Sequence, residues 1–309
     1  MTNQDQTNSN NSFEDDRIDL QELFSFLWEG RKLIVILTTV CFLSSIIFAL
    51  SLDKYYKSTA TLSVIEAVSG GGGSLGGFAK MAGISIQQVG VKGPRFINTL
   101  RSRAFLNYLI ESDESVLPAL IAVESYDFES KKLVFDSELY DAANKKWLIP
   151  KPNYLEAYPV YMMMLYTYYH DQRRIIDLQF EHVSPIFAKE FLDSIIREGD
   201  KVLREFDMQV SIDSLEYLNV ELAETKLLNI KSSINQMILS QMQTKMMTQL
   251  GYNYVVKIID PPFVPLYPFW PSRRLIVIIT TLGGLVFGFV LVLLRQYIGF
   301  NITKQKSGL

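Results

Sequence analysis

Residues 275–294 read LIVIITTLGGLVFGFVLVLL, and residues 33–52 read LIVILTTVCFLSSIIFALSL; neither run of twenty contains a charge. At ~1.5 Å rise per residue, each spans ~30 Å as a helix, the thickness of a bilayer's hydrocarbon core. Arg273 and Arg274 precede the later run, and Arg295 and Tyr297 follow it. Such flanks are expected at a membrane–water interface. The earlier run follows some thirty polar and acidic residues. A signal peptide would instead begin with a short basic segment and carry a shorter apolar core. Both runs are therefore expected to persist as membrane helices, at 33–52 and 273–295. They divide the chain into a tail (1–32), a water-soluble middle (53–272) and a second tail (296–309).

The stretch before the later run is DPPFVPLYPFWPSRR, where Pro262, Pro265, Pro268 and Pro271 recur every third residue. That is the period of a polyproline II helix, which has no internal hydrogen bonds. Prolines so spaced cannot sit inside an α-helix, so residues 261–271 are expected to form a stiff extended strut.

The middle carries 22 basic and 26 acidic side chains. A basic footprint for nucleic acid is therefore not expected. It is long enough for one substantial domain with its own core. The single cysteine, Cys41, lies in the first apolar run, so the middle has no disulfide or thiol chemistry. Lys and Arg are nearly balanced between the two sides of the runs, and charge alone leaves the orientation open.

Residues 1–16 are polar and expected to be disordered. In IDLQELFSFLWEG, starting at Ile18, Leu20, Leu23, Phe24 and Leu27 share one helical face, with Asp19 as a cap. This predicts a short amphipathic helix on the membrane surface or against a protein. YYKSTATLSVIEAV, 55–68, predicts a strand. The glycines from Gly70 to Gly77 lack the Lys-Ser/Thr ending of a phosphate loop and predict a flexible loop. A short helix is expected near Ile84–Val89. FINTLRSRAFLNYLI, 96–110, predicts a helix with Ile97, Leu100, Phe105, Leu109 and Ile110 inward. Nearby Arg95, Arg101 and Arg103 are expected to pair with neighbouring acids rather than bind an anionic sugar or phosphate.

A helix over 156–165 and a hairpin turning at Asp171-Gln172 follow, with Ile176, Leu178 and Phe180 alternating. His170 and His182 are the only histidines. Without an acid or cysteine cluster they make no metal site and are expected on the hairpin surface. Ser184 and Pro185 then form an N-cap and first helical residue. From Pro185 to Gln249 there is no further proline and only Gly199. A continuous helix over 185–249 would span ~98 Å. A bend is expected near Gly199 or Met208–Ser211. Val220, Ala223, Leu227, Ile230, Ile234 and Met237 step at three and four residues, a coiled-coil seam. Gly251 ends the helix, and YNYVVKIIDPP returns as a strand.

The predicted fold is thus α+β: two transmembrane helices flank a base of strands and short helices, from which a very long helix extends as a coiled-coil-like arm. A base this small cannot bury the seam, which predicts a homo-oligomer. Gly284 and Gly288 form a small-xxx-small pair for close helix packing, and Gly283 is expected to widen the same groove.

The leader IDLQELFSFLWEGRKLIVIL, the segment FINTLRSRAFLNYLI, the piece VSPIFAKEFLDSIIREGDKVL and the ending IIDPPFVPLYPFWPSRRLIVIITTLGG resemble the Wzz chain-length determinant family. These are the polysaccharide co-polymerases of bacterial inner membranes. The resemblance spans nearly the whole chain and is most specific at the proline ending. The glycine insert at 70–77 is not part of it. It implies cytoplasmic tails, a periplasmic α+β base with extended helices, and ring oligomers, commonly octamers. The implied role is to set how many repeat units a membrane-embedded polymerase adds to a lipid-linked glycan of O-antigen type, within lipopolysaccharide biosynthesis. No catalytic, cofactor-binding or metal residues are implied. Some relatives carry a tyrosine-kinase domain after the second span; here about fifteen residues without a phosphate loop follow Leu294. Capsule or exopolysaccharide export with a separate tyrosine kinase is the alternative, and a two-span sensor a weaker one. An enzyme would need a constellation that scattered acids such as Glu111, Asp113 and Glu114 do not form.

Overall fold

A computed structural model describes residues 28, 30–65, 92–249, 251 and 253–306, with 296–306 as backbone. Leu20, Leu23, Phe24 and Leu27, the glycine loop at 70–77 and the helix expected near 84–89 lie outside the described residues. The chain divides into two compact units, 53–270 and 1–52 with 271–309.

The second of these units contains helices α1 (Arg31–Ser51) and α8 (Arg273–Lys306). Both are long and apolar enough to cross a membrane.

The 53–270 unit is built on a four-stranded antiparallel sheet. Its strands are β1 (Tyr56–Val64), β6 (Leu165–His170), β7 (Ile175–His182) and β8 (Val256–Asp260), in the order β6-β7-β1-β8. Alternation sets which side chains enter the core. Ala60, Leu62 and Val64 of β1 and Ile176, Leu178 and Phe180 of β7 are buried, while Thr59, Thr61, Asp177 and Gln179 lie on the opposite, half-exposed face. Two small hairpins, β2 (Val123–Asp127) with β3 (Lys132–Phe135) and β4 (Tyr140–Asp141) with β5 (Lys146–Trp147), lie outside this sheet.

Helices α2 (Lys92–Leu100), α3 (Arg103–Ser112), α4 (Val116–Ile121) and α5 (Tyr154–Met164) complete the core with the first half of α6 (Pro185–Glu224). The single helix expected over 96–110 is two. Ser102 interrupts it because its Oγ accepts the Phe105 N–H and caps α3, competing with continuation of α2. Ser184 caps α6 as expected, accepting from the Phe187 N–H, with Pro185 in the first turn. On α6, Ala188, Phe191, Leu192, Ile195, Ile196 and Leu203 are buried at helical spacing.

The arm differs from its prediction. The 185–249 segment is not one helix: α6 ends at Glu224 and α7 runs over Leu228–Gln249. The chain returns far enough for Arg204 Nη1 to donate to the Gly251 carbonyl (2.8 Å) and the Tyr254 hydroxyl to Asp207 (2.8 Å). The outer half of α6 and all of α7 therefore form an antiparallel helical hairpin. The helix runs through Gly199 without a break. The space above its Cα is filled by Leu100 and Phe96, so the missing side chain serves helix packing. Ser211 donates to the Asp207 carbonyl and stays within the helix. Folding back at 225–227 lets two apolar stripes cover each other, which a straight helix cannot do.

Those stripes are not the predicted seam. Ser211, Leu215, Leu218 and Leu222 of α6 are buried or half-buried, as are Ile234, Ile238 and Thr248 of α7. Val220, Ala223, Leu227, Ile230 and Met237 are exposed, and only Ile234 of the predicted set is buried. The three-and-four spacing from Val220 to Met237 crosses the hairpin turn and so joins two helices.

His182 also departs from expectation. Its position in the Ile176-Leu178-Phe180 alternation takes it inside, where it is 1% exposed. Nε2–H donates to the Ala119 carbonyl (2.9 Å) and Nδ1 accepts the Ser184 N–H (3.1 Å), which defines a neutral ring. Burial lowers its pKa from 6.5 to about 4, against the raising effect of those two bonds. Below pH ~6.5 the unfolded chain takes up a proton that the fold refuses, so stability falls as pH drops from there toward 4. At ~1.4 kcal/mol per unit, the full difference is of order 3 kcal/mol. Thermal melts of the full-length protein should show Tm falling between pH ~7 and ~5, with most of that fall absent in His182→Asn. Equal falls in both proteins would remove His182 as the cause.

Candidate functional site: the root of the arm and the membrane helix pair

The descending chain after α7 meets α6 at a buried polar cluster. Gly251 (φ 94°) and Asn253 (φ 66°) take left-handed backbone, turning the chain from helix toward strand. The buried Asp200 carboxylate then receives three successive N–H groups: Oδ2 that of Tyr254 (3.1 Å), and Oδ1 those of Val255 (2.6 Å) and Val256 (3.3 Å). Lys92 Nζ donates to the Tyr254 carbonyl (3.1 Å) and lies 3.9 Å from the centre of its ring. Burial lowers the Lys92 pKa, while Asp207 and Asp200 oppose that shift. Burial, followed by the hydrogen bond to Asp207, raises the pKa of the Tyr254 hydroxyl well above its usual 10. Arg95 completes the cluster through an ion pair with Asp207 (2.6 Å).

The three arginines singled out from the sequence thus do not form one anion site. Arg95 pairs with Asp207, Arg103 lies over the Tyr158 ring at 5.4 Å, and Arg101 is exposed. His170 bonds Asp177 (2.8 Å) at the hairpin end, far along the strand from His182. Among the described residues, no three His, Cys, Asp or Glu side chains converge as a metal site. Of the scattered acids, Glu111 accepts from Asn107 and Asp113 from the Ser115 N–H, both at exposed helix ends. The cluster at the arm root offers no nucleophile beside a base. Its charged groups are committed to backbone and to one another, and what it accomplishes is attachment. Composition had not marked Asp200, Lys92 or Tyr254; the available signal was an acid and a lysine on the inward faces of amphipathic helices.

The proline segment follows β8. Pro261 and Pro262 have no N–H for the ladder, so pairing of β8 stops at Asp260. From there the chain stays beside β1. Ser58 Oγ donates to the Phe263 carbonyl (2.9 Å), and Tyr55 forms an antiparallel bridge with Trp270. Lys57 lies 3.1 Å from the Phe269 ring centre while pairing with Glu181 (3.0 Å). Pro262, Pro265 and Pro268 thus lie in a segment without helix, held at both ends.

In the membrane helix pair, α8 presents Gly284 and Gly288 to α1. A Cβ on Gly284 would stand 2.7 Å from Cys41 Cβ, and one on Gly288 3.3 Å from Ile34 Cα. Gly30 meets Val292 in the same way. Close approach therefore needs glycine at these positions. Gly283 does not share that groove: a Cβ there meets nothing within 4 Å. One residue of helical rotation, ~100°, carries it off the contact face.

Comparison with known proteins adds the class. Residues 16–112 match the family described as Wzz, chain length determinant protein. Residues 226–297 match GNVR, described as a G-rich domain on putative tyrosine kinase. Over residues 16–112 the resemblance read from the sequence is borne out. A solved structure described as a full-length bacterial polysaccharide co-polymerase aligns over 91% of this chain and 98% of its own, at 14% identity and TM-score 0.41. No curated protein matches.

The attachment at Asp200 is directly testable. Asp200→Ala strands buried N–H groups, at ~1–3 kcal/mol each if none finds water. It should lower Tm and speed proteolysis around Gly251. Asp200→Asn keeps one acceptor oxygen and should lose less. Unchanged melting and proteolysis in the alanine variant would show that the cluster does not anchor the returning chain.

Proposed function

We propose that this protein regulates polysaccharide chain length as a non-catalytic, homo-oligomeric scaffold of the bacterial inner membrane. Its tails are cytoplasmic, its 53–270 unit is periplasmic, and it sets the modal length of a lipid-linked surface glycan of O-antigen type made by a membrane polymerase. The observation carrying this reading is the chain length determinant match over residues 16–112. Two helices fit to cross a membrane and an α+β unit between them support it. Assembly into a homo-oligomeric ring, an octamer in this proposal, draws on the arm's uncovered surface, where Val220, Leu227, Ile230 and Met237 remain exposed after the hairpin has closed on itself.

A second reading has one specific observation in its favour. The match over 226–297 is to a domain described from putative tyrosine kinases. It supports a capsule or exopolysaccharide co-polymerase working with a separate kinase. The two readings differ in whether deleting such a kinase alters polymer length.

Gel profiles of surface glycan should compare a deletion strain with strains complemented by parent and variant proteins. Pro268→Ala with Pro271→Ala relaxes the strut and should shift or broaden the length distribution while total glycan persists. Gly284→Leu with Gly288→Leu separates α8 from α1 and should do the same. A profile identical in the deletion strain and its complement would overturn the proposal. So would a single periplasmic carboxylate essential for any polymer in an assembled protein, which would make the protein an enzyme.

A further inference from the structure

The proline segment has an exposed surface that control of glycan length leaves unused. Leu266 and Tyr267 are 86% and 81% exposed, and Phe263, Val264, Phe269 and Trp270 are each near half exposed. This segment is held in place. The Tyr55 N–H donates to the Trp270 carbonyl (2.9 Å), the Phe269 N–H to the Tyr55 carbonyl (2.8 Å), and the Tyr55 and Trp270 rings meet edge to face at 5.8 Å. An ordered apolar surface is therefore displayed to the surroundings at a solvation cost that some partner must relieve.

Chain connectivity identifies that partner. Trp270 stands three residues before Arg273, where α8 begins, and Tyr55 four residues after Ser51, where α1 ends. An extended chain covers at most ~3.6 Å per residue, so both tethers are shorter than ~15 Å. The Tyr55–Trp270 bridge is thus leashed at two points to helices fit to cross a membrane. Tyr and Trp concentrate at the bilayer interface, where an apolar ring and a polar tip are both satisfied. Lys54, Arg273 and Arg274 flank the segment in sequence and suit anionic headgroups.

Other occupants fit less well. Pro265 and Pro268 interrupt the row of N–H donors that a neighbouring chain's strand would need. A glycan would need hydroxyl- or amide-bearing side chains, and among the six exposed residues only Tyr267 and Trp270 carry a polar atom. We propose that residues 263–270 form an interfacial anchor in which Leu266 and Tyr267 enter the headgroup region of the bilayer. The anchor rests on the membrane spans and not on the glycan role.

The test uses full-length protein with Cys41→Ser, carrying Leu266→Cys labelled with an environment-sensitive fluorophore. It is reconstituted in vesicles of phosphatidylethanolamine and phosphatidylglycerol containing lipids with a nitroxide near the headgroup. Leu228→Cys, at the arm turn and equally exposed at 84%, is the reference. The label at 266 should be quenched several-fold more by nitroxide lipid than the label at 228, and several-fold less by aqueous iodide. Tyr267→Cys repeats the measurement at a second site, should the first substitution disturb the fold. Equal iodide quenching at 266 and 228 overturns the proposal, because the segment is then in water. Protection from both quenchers also overturns it, because a neighbouring copy then covers the segment.

Discussion

A single carboxylate receives the chain when it comes back from the arm. Asp200 lies on the buried face of α6, and its two oxygens take the N–H groups of Tyr254, Val255 and Val256. A buried anion requires such partners, since an uncompensated charge in the interior is strongly unfavourable. The three N–H groups require them too, because β8 pairs with β1 only from Val256 onward. Each side solves the other's desolvation problem. The result sets where β8 starts, and through Pro261 and Pro262 where it stops. Lys92, Arg95 and Asp207 then arrange themselves around Tyr254, tying α2 and α6 to the same point.

Much of this was legible wherever a local rule acted alone. Apolar runs marked α1 and α8, Ser184-Pro185 marked the start of α6, and period-two alternation marked β7. His182 was legible as well, because the parity that buries Ile176, Leu178 and Phe180 buries it too, and parity outweighs the polar character of the ring. The break after Leu100 had its signal in Ser102, a residue that caps helices more readily than it continues them. What could not be read locally was the arm. No proline or glycine marks 225–227, and the turn exists because two amphipathic halves cover each other over a long sequence separation. Likewise, nothing near Asp200 in sequence announces that its partners are more than fifty residues away.

The hairpin changes what an oligomer would bury. A single long helix would have offered one continuous stripe from Val220 to Met237. In the hairpin, the inner stripe is consumed internally, with Ile234 at its centre, and the outward residues lie on two antiparallel helices and their turn. A neighbouring copy would therefore meet a broader, two-helix surface rather than a narrow coiled-coil seam. Broad surfaces of dispersed apolar contacts gain stability from area and shape, so they respond gradually to single substitutions. Buried polar contacts respond sharply, because removing one partner leaves the other unsatisfied.

The same contrast separates the scaffold reading from a catalytic one. Chemistry requires charged or nucleophilic groups that are positioned yet still available to a substrate. Around Tyr254 the charged groups are positioned but spent: Asp200 on three backbone N–H groups, Lys92 on a carbonyl, Arg95 on Asp207. Their joint effect is to tie down the chain where it leaves the arm. Beyond β8 the prolines restrain the chain by another route, since a residue without N–H and with fixed φ has few conformations to lose. From Asp200 to Trp270 the chain is thus held by the pairing of β8, then at Phe263, Phe269 and Trp270, with the fixed φ of the prolines between. A scaffold that acts by holding dimensions, the role proposed above, would draw on such contacts.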